Sequence, residues 1–450
     1  MMFKKTLIAA ALAATVPAFA AVSPEEAKQL GTSLTAVGAE KAGSKDGVIP
    51  EYNGGLTNGP AVAAGSGFRP DPYAADKPRL IITGKNLQGQ EARLTAGTRE
   101  LLKRYASFRV DVYPTRRSVV FPKAILENTS RNALQAKAVE GGVGVEGVLA
   151  GVPFPIPKSG HEVMWNHLLH YKGNAFYSKY DSVNVDSSGT ATLATTGEIW
   201  QEFPLADARR TEAAKQNDVF YRMKLNYLAP ARRAGEALMA FDAINPLVQP
   251  RKVWQYLPGQ RRVKLAPDVA YDTPNPGSAG ASTYDDAWIF NGALDRFDFK
   301  LVGKKEMIVP YNAYKLAYHP STADVTTPNH LNPDLLRWET HRVWVVEATL
   351  KPGKRHIYSK RVFYIDEDSW AALASDEYDA RGQLYRAAFD QITFSYDVQA
   401  PQTGNQVFYD FVSGVYNLSG MSGPYGGIKY GIAPKASEWS AETLSGAGVR

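Results

Sequence analysis

The sequence predicts an α+β protein built on one large curved antiparallel sheet of about ten strands, covered by helices and preceded by a loop-rich N-terminal extension. Three observations predict it. From about residue 177 onward apolar residues recur with period two, in runs separated by short turns. Helical spacing is confined to a few stretches early in the chain and one near residue 290. Several of the period-two runs are apolar on both faces, so each side of the sheet needs a cover of helix, loop, partner or ligand.

Composition sets the outer limits. The chain has 450 residues, 44% hydrophobic and 21% charged, which is ordinary for a globular protein and excludes a disordered tail, a collagen or a coiled coil. Lys4 and Lys5, the apolar run 7–16 and Ala18-Phe19-Ala20 have the order a signal peptidase reads. Cleavage is expected after Ala20, with export to a periplasm. Losing the two lysines takes the formal charge of +6 down by two, to +4, too diffuse to argue for nucleic acid. No later stretch offers the ~20 uncharged apolar residues of a membrane-spanning helix. The chain contains no cysteine, which excludes disulfides, thiolate metal ligands, a cysteine nucleophile and a lipidated N-terminal cysteine.

The expected organisation is a signal peptide over 1–20, a helical and extended loop-rich segment over 21–105, the curved sheet with inserted helices over 106–425, and a tail over 426–450. Ser23-Pro24-Glu25-Glu26 reads as a helix start and Gly31 as its stop. Residues 43–78 are rich in Gly, Pro, Asn and Asp yet carry Tyr, Phe and Leu, so they should lie over something else. Helices are expected over 98–106, 128–139 and 159–171, and a strand over 108–113. Beyond them, residues 182–185 and 190–193 flank a turn at Asp186-Ser187-Ser188-Gly189, a hairpin signal. Strands follow over 219–227, 237–241, 251–257, 261–265, 305–309, 342–350, 355–366, 383–396 and 406–411, with a helix near 285–294.

The chemical motifs are weak. Gly142 to Gly147 satisfies G-x-G-x-x-G, but it follows a helical pattern and leads into a proline-rich loop, so a flexible turn is the better reading than a dinucleotide site. His161-Glu162 and His167 are six residues apart, where H-E-x-x-H zinc binding needs four. No metal or cofactor is assigned. Asp285-Asp286 and Asp366-Glu367-Asp368 could serve acid/base chemistry, but each ends an element, where solvated turn acids are the rule. No G-x-S-x-G elbow occurs, and no catalytic residue is assigned. The pairs Arg116-Arg117, Arg232-Arg233, Arg251-Lys252 and Arg261-Arg262 could hold an anionic headgroup or simply protect sheet edges and pair with acids.

Several runs resemble one exported bacterial family, domain of unknown function thirteen twenty-nine: residues 30–43 with Asp46-Gly47-Val48-Ile49-Pro50, residues 153–158 with Trp165-Asn166-His167-Leu168-Leu169, residues 253–258 with Arg261-Arg262-Val263, and Tyr284 to Phe290. That family is grouped with the LolA/LolB-like lipoprotein-sorting superfamily. The resemblance implies a half-barrel closed by helices, with an apolar interior for acyl chains, and envelope trafficking beside a resistance-nodulation-division type transporter or an outer-membrane protein. It supplies no catalytic residues.

The leading expectation is a non-catalytic periplasmic carrier or chaperone for a lipid or other hydrophobic small molecule, held on the concave sheet face. Tyr221, Met223, Trp254, Tyr256, Trp288 and Trp344 are the candidate lining residues, and Arg116, Arg117, Arg261 and Arg262 the candidate headgroup contacts. A hydrolase acting on an envelope or polymeric substrate and a structural adaptor for an envelope complex are the alternatives.

Overall fold

Period-two runs become long antiparallel strands that follow one another as neighbours. The computed structural model describes residues 22–278 and 280–445; the expected signal peptide lies outside them. One meander runs through Ala175–Val185, Ala191–Glu202, Val219–Ala229, Ala237–Ala243, Lys252–Leu257 and Arg262–Leu265. A second runs through Phe297–Pro310, Trp338–Leu350, Lys360–Asp366, Ala372–Tyr378, Leu384–Asp390, Gln406–Asp410 and Tyr416–Met421. The last strand of the second pairs with the first strand of the first, Leu418 opposite Val183. Together with three short strands they form one open sheet of sixteen strands.

The count exceeds the ten expected because short runs joined the sheet. Ala372–Tyr378 has few β-branched residues and ends Ser-Asp-Glu-Tyr, so propensity does not mark it; partners on both sides do. Leu80–Ile82 and Val110–Val112 extend one edge, where Val112 meets Trp338 in a parallel bridge.

The helices are few and short. Ser23 caps Pro24–Ala27 through a capping box with Glu26. Helices also span Ala96–Arg104 and Gly160–Leu169, close to expectation. The helix expected over 128–139 lies earlier, at Lys123–Gln135. Residues Lys137–Val139 instead pair with Gly144–Glu146, and the Asn132 amide donates to the Leu149 and Val152 carbonyls, tying the next segment to the helix. The glycine motif therefore lies in a small ribbon, not at a strand-to-helix turn. The helix expected near 285–294 is a single turn, Tyr284–Asp286: Trp288 and Ile289 are left-handed, with φ of 53° and 70°, a region that ends any helix.

The loop-rich N-terminal segment is clamped to the turn of a small separate hairpin, Thr393–Ser395 with Ala400–Gln402, and to the stretch just before Lys429. Arg69, 2% exposed, forks onto Asp397 at 2.5 and 2.9 Å and donates to the Gly67 and Ile428 carbonyls. At Gly38, with φ of 91°, a side chain would strike the Pro155 carbonyl, so only glycine fits. The main hydrophobic core extends from Val37 to Ile428, with two smaller clusters on the first meander, one around Leu225, Tyr227 and Val253 and one around Met239, Tyr256 and Trp439.

Candidate functional site

The segment 266–296 leaves the last strand of the first meander and returns to the first strand of the second, so it crosses the sheet. Its anchor is a buried charge cluster. Asp286 Oδ1 accepts from Arg361 at 2.8 Å and Asp286 Oδ2 from the Tyr358 hydroxyl at 3.1 Å. Asp285 Oδ2 lies 3.0 Å from His356 Nε2. Burial pushes the Asp285 carboxyl up, but Arg361 and His356 outweigh it and hold it well below the usual carboxylate range. The acidic pair thus fastens the crossing segment to the second meander.

Between this roof and the first meander lies a cavity of about 190 Å³. Strand alternation makes the floor: Tyr221, Met223, Leu225 and Tyr227 point inward with Ile199, Leu238, Ala240 and Val253, and Tyr284 and Trp288 come down from the roof. Trp288 meets Tyr221 edge to face at 4.7 Å. A second chamber of about 180 Å³ lies beside it, lined by Trp165, Leu168, Phe220, Tyr271 and Leu294 among others.

Asp242, Arg251 and Asn291 line both chambers. Arg251 forks onto Asp242 at 2.6 and 2.8 Å and donates to the Asn291 carbonyl at 2.7 Å. The two apolar spaces are therefore divided by a polar partition whose members can each make other hydrogen bonds.

Behind the Trp288 wall Lys172 is buried. Its ammonium stands 4.8 Å from the Trp288 ring centre and 5.2 Å from that of Phe203, and 3.3 Å from His170 Nδ1. Burial pushes this amine down to about 7, a loss that distant Asp390 only partly offsets. Burial likewise pushes the Asp390 carboxyl up to about 8, against the hydrogen bonds it accepts from Gly404 and Gln406 and the pull of Lys172.

Of the candidate lining residues, Tyr221, Met223 and Trp288 face the cavity. Trp254 and Tyr256 have the opposite parity to Val253 and lie on the outer face, packed with Phe241, Met239, Trp439 and Leu444. Trp344 stacks on Trp370 at 6.1 Å under the Lys304 ammonium, outside both chambers. None of the four candidate headgroup arginines lines either chamber. Arg116 pairs with Asp76 at 2.7 Å and Arg117 with Asp368 at 2.7 Å. Arg261 and Arg262 are exposed at the sheet's free edge, where charge blocks further strand pairing. The cation that does reach the cavity is Arg251, which belongs to one of the four pairs visible in the sequence. Asp242 and Asn291 carried no such signal.

The fold and this partitioned space define a class: an open antiparallel sheet roofed by its own crossover, with two small apolar chambers inside. The family described as "Protein of unknown function (DUF1329)" matches residues 81–445, and the chain belongs to it. It is 40% identical over 435 residues to "Uncharacterized protein PA3922" of Pseudomonas aeruginosa, spanning 96% of this chain and 95% of that one. Similar solved structures include a DUF1329 family protein from Desulfovibrio piger (14% identity, 60% of this chain and 92% of the other, TM-score 0.41). Another is a LolA superfamily protein from Nitrosomonas europaea (11% identity, 63% and 98%, TM-score 0.38).

Proposed function

We propose that this chain is a non-catalytic carrier of a hydrophobic small molecule, working in the periplasm after export. The observation that carries the reading is the space under the 266–296 roof: an interior that its own residues do not fill, with a floor of Tyr, Met, Leu and Val side chains, Trp288 above, and a polar side that includes Gln201, Asn275, Thr403 and Gln406. Interiors normally pack to crystal-like density, and empty apolar cavities of ~150 Å³ take up benzene. One chamber of this size suits a ring or a short chain. Together the two reach the ~300 Å³ lower bound of ordinary ligand pockets, so a single acyl chain would have to pass the Arg251–Asp242 partition. The Arg251 guanidinium is then the group best placed to meet an anionic head.

No helix among the described residues is long and apolar enough to cross a membrane. The hydrolase alternative would rest on Ser107 and His330, whose Oγ and Nε2 are 2.8 Å apart. There the Leu331 carbonyl, at 2.8 Å from Nδ1, takes the place of a carboxylate, and neither residue lines a chamber.

The test is extraction of the purified mature protein for mass spectrometry, with titration by an environment-sensitive apolar dye. Dye binding is expected to be saturable, to be displaced by single-chain amphiphiles, and to be lost in Met223→Trp but kept in Trp254→Ala. Absence of any extractable guest together with equal dye binding in all three proteins rules the carrier reading out.

A further inference from the structure

The turn between the strands Lys360–Asp366 and Ala372–Tyr378 holds a second site, unrelated to the cavity. His341, Asp366 and Asp368 meet there, fully buried, each offering one ligand atom within 4.8 Å of the others. Acidic clusters alone mean little, and the neighbouring carboxylates are accounted for. Glu339 pairs with Arg337 at 2.6 Å, Glu367 with Lys304 at 2.8 Å and Asp368 with Arg117 at 2.7 Å.

Asp366 is different. It has no exposed surface and no lysine or arginine within salt-bridge distance among the described residues. Its Oδ2 accepts three hydrogen bonds, from the Tyr311 hydroxyl at 2.9 Å and from the Ser369 amide and hydroxyl at 2.8 and 2.7 Å. Its Oδ1 has no hydrogen-bond partner and faces His341 Nδ1 at 3.8 Å. A buried carboxylate oxygen left bare is costly. Here the other oxygen is held so firmly that the bare one is fixed in direction.

The histidine is fixed to match. Its Nε2 lies 3.0 Å from Glu339 Oε2, and its ring stacks on Tyr311 with centres 3.7 Å apart. An Nε2–H donated to Glu339 leaves a lone pair on Nδ1, the carboxylate–histidine arrangement that orients metal-bound imidazoles. Arg117 occupies one lone-pair direction on each Asp368 oxygen, and each oxygen has another. Ligands at ~2.0–2.2 Å from a tetrahedral ion stand about 3.3–3.6 Å apart, so the His341–Asp366 pair at 3.8 Å is close to that spacing, and the widest separation among the three atoms has to close by up to about 1.5 Å.

We propose that His341 Nδ1, Asp366 Oδ1 and one carboxylate oxygen of Asp368 bind a divalent transition-metal ion, zinc by preference, as a structural clamp on this turn. One imidazole and two carboxylates suit zinc, with manganese the oxygen-favouring competitor. The site lies beneath the N-terminal segment: the Trp370 indole donates to the Val37 carbonyl at 2.9 Å and Arg117 donates to the Lys41 carbonyl. The ion would be enclosed as the chain folds.

The experiment uses the full exported chain, made without a histidine tag and purified without chelator. Elemental mass spectrometry is expected to find about one zinc per chain, and a stripped sample titrated with Zn²⁺ alone or Mn²⁺ alone should saturate at one site and prefer zinc. Glu339→Gln should weaken binding ~10–100-fold, and His341→Gln or Asp366→Asn should remove it. If those two variants do not fold, the unmodified protein still decides: chelator should lower its Tm, and Co²⁺ should give a visible absorption band. Zinc-free protein with no saturable uptake and no response to chelator overturns the proposal. Binding that survives in folded His341→Gln and Asp366→Asn also overturns it.

Discussion

Lys172 is a charge that folding places against two aromatic rings with no carboxylate at salt-bridge distance among the described residues, and Lys172→Met tests what that costs. The amine falls from 10.5 to about 7, and each pKa step is ~1.4 kcal/mol, so the ceiling on the penalty is about 5 kcal/mol. Methionine forfeits the cation–π contacts, worth ~0.5–2 kcal/mol, so a net gain of about 1–3 kcal/mol is expected at pH 6. The sign follows from proton counting. Below pH 7 the lysine is charged in both states and the penalty is complete; between about 7 and 10.5 only the unfolded chain holds the proton, so wild-type stability climbs with pH. The advantage of Lys172→Met should therefore be largest at pH 6 and vanish by pH 10. Urea unfolding at pH 6, 8 and 10, followed by tryptophan fluorescence, measures it. A variant less stable than wild type at pH 6, or a difference that does not change with pH, refutes the reasoning.

Asp390 should show the opposite trend. Its carboxyl is pushed up to about 8, so its cost is absent near pH 4, grows up to pH 8 and stays complete above; Asp390→Asn should match wild type at pH 4 and exceed it at pH 9 in the same assay. Arg251→Met leaves Asp242 buried and unpaired and should cost about 3–5 kcal/mol, most of it recovered in Arg251→Met/Asp242→Asn, as a urea double-mutant cycle would report. Deleting residues 435–450 strips Trp439 and Leu444 from Met239 and Tyr256. Bound anilinonaphthalene fluorescence should then rise and Tm fall, while dye binding inside the cavity persists.

How far the sequence reached depends on range. Within one strand, alternation is local, so Tyr221, Met223, Leu225 and Tyr227 could be read as sharing a face. Which face turns inward is not local. In Lys252–Leu257 the larger side chains, Trp254 and Tyr256, take the outer side because Trp439, almost two hundred residues later, covers them, while Val253 takes the cavity. Irregularities compound this: the ladder slips between Val219 and Tyr221, and no sequence signal marks the slip. Trp288 was legible as an aromatic in a conspicuous acidic run, but its approach to Tyr221 depends on a left-handed backbone and on Arg361, a partner seventy-odd positions away. The arginine pairs were visible as pairs; only tertiary placement tells edge protection in Arg261 and Arg262 from the chamber wall in Arg251.

The seam between Tyr416–Met421 and Ala175–Val185 joins residues more than 230 positions apart. A pairing so remote must wait for nearly the whole polypeptide, and long-range closure of this kind slows assembly. Until then Ala175–Val185 presents an unpaired border to its surroundings, the kind of surface on which neighbouring molecules stick together. Newly made copies therefore depend on the speed of that final junction, or on something that shields it, to escape clumping before maturity.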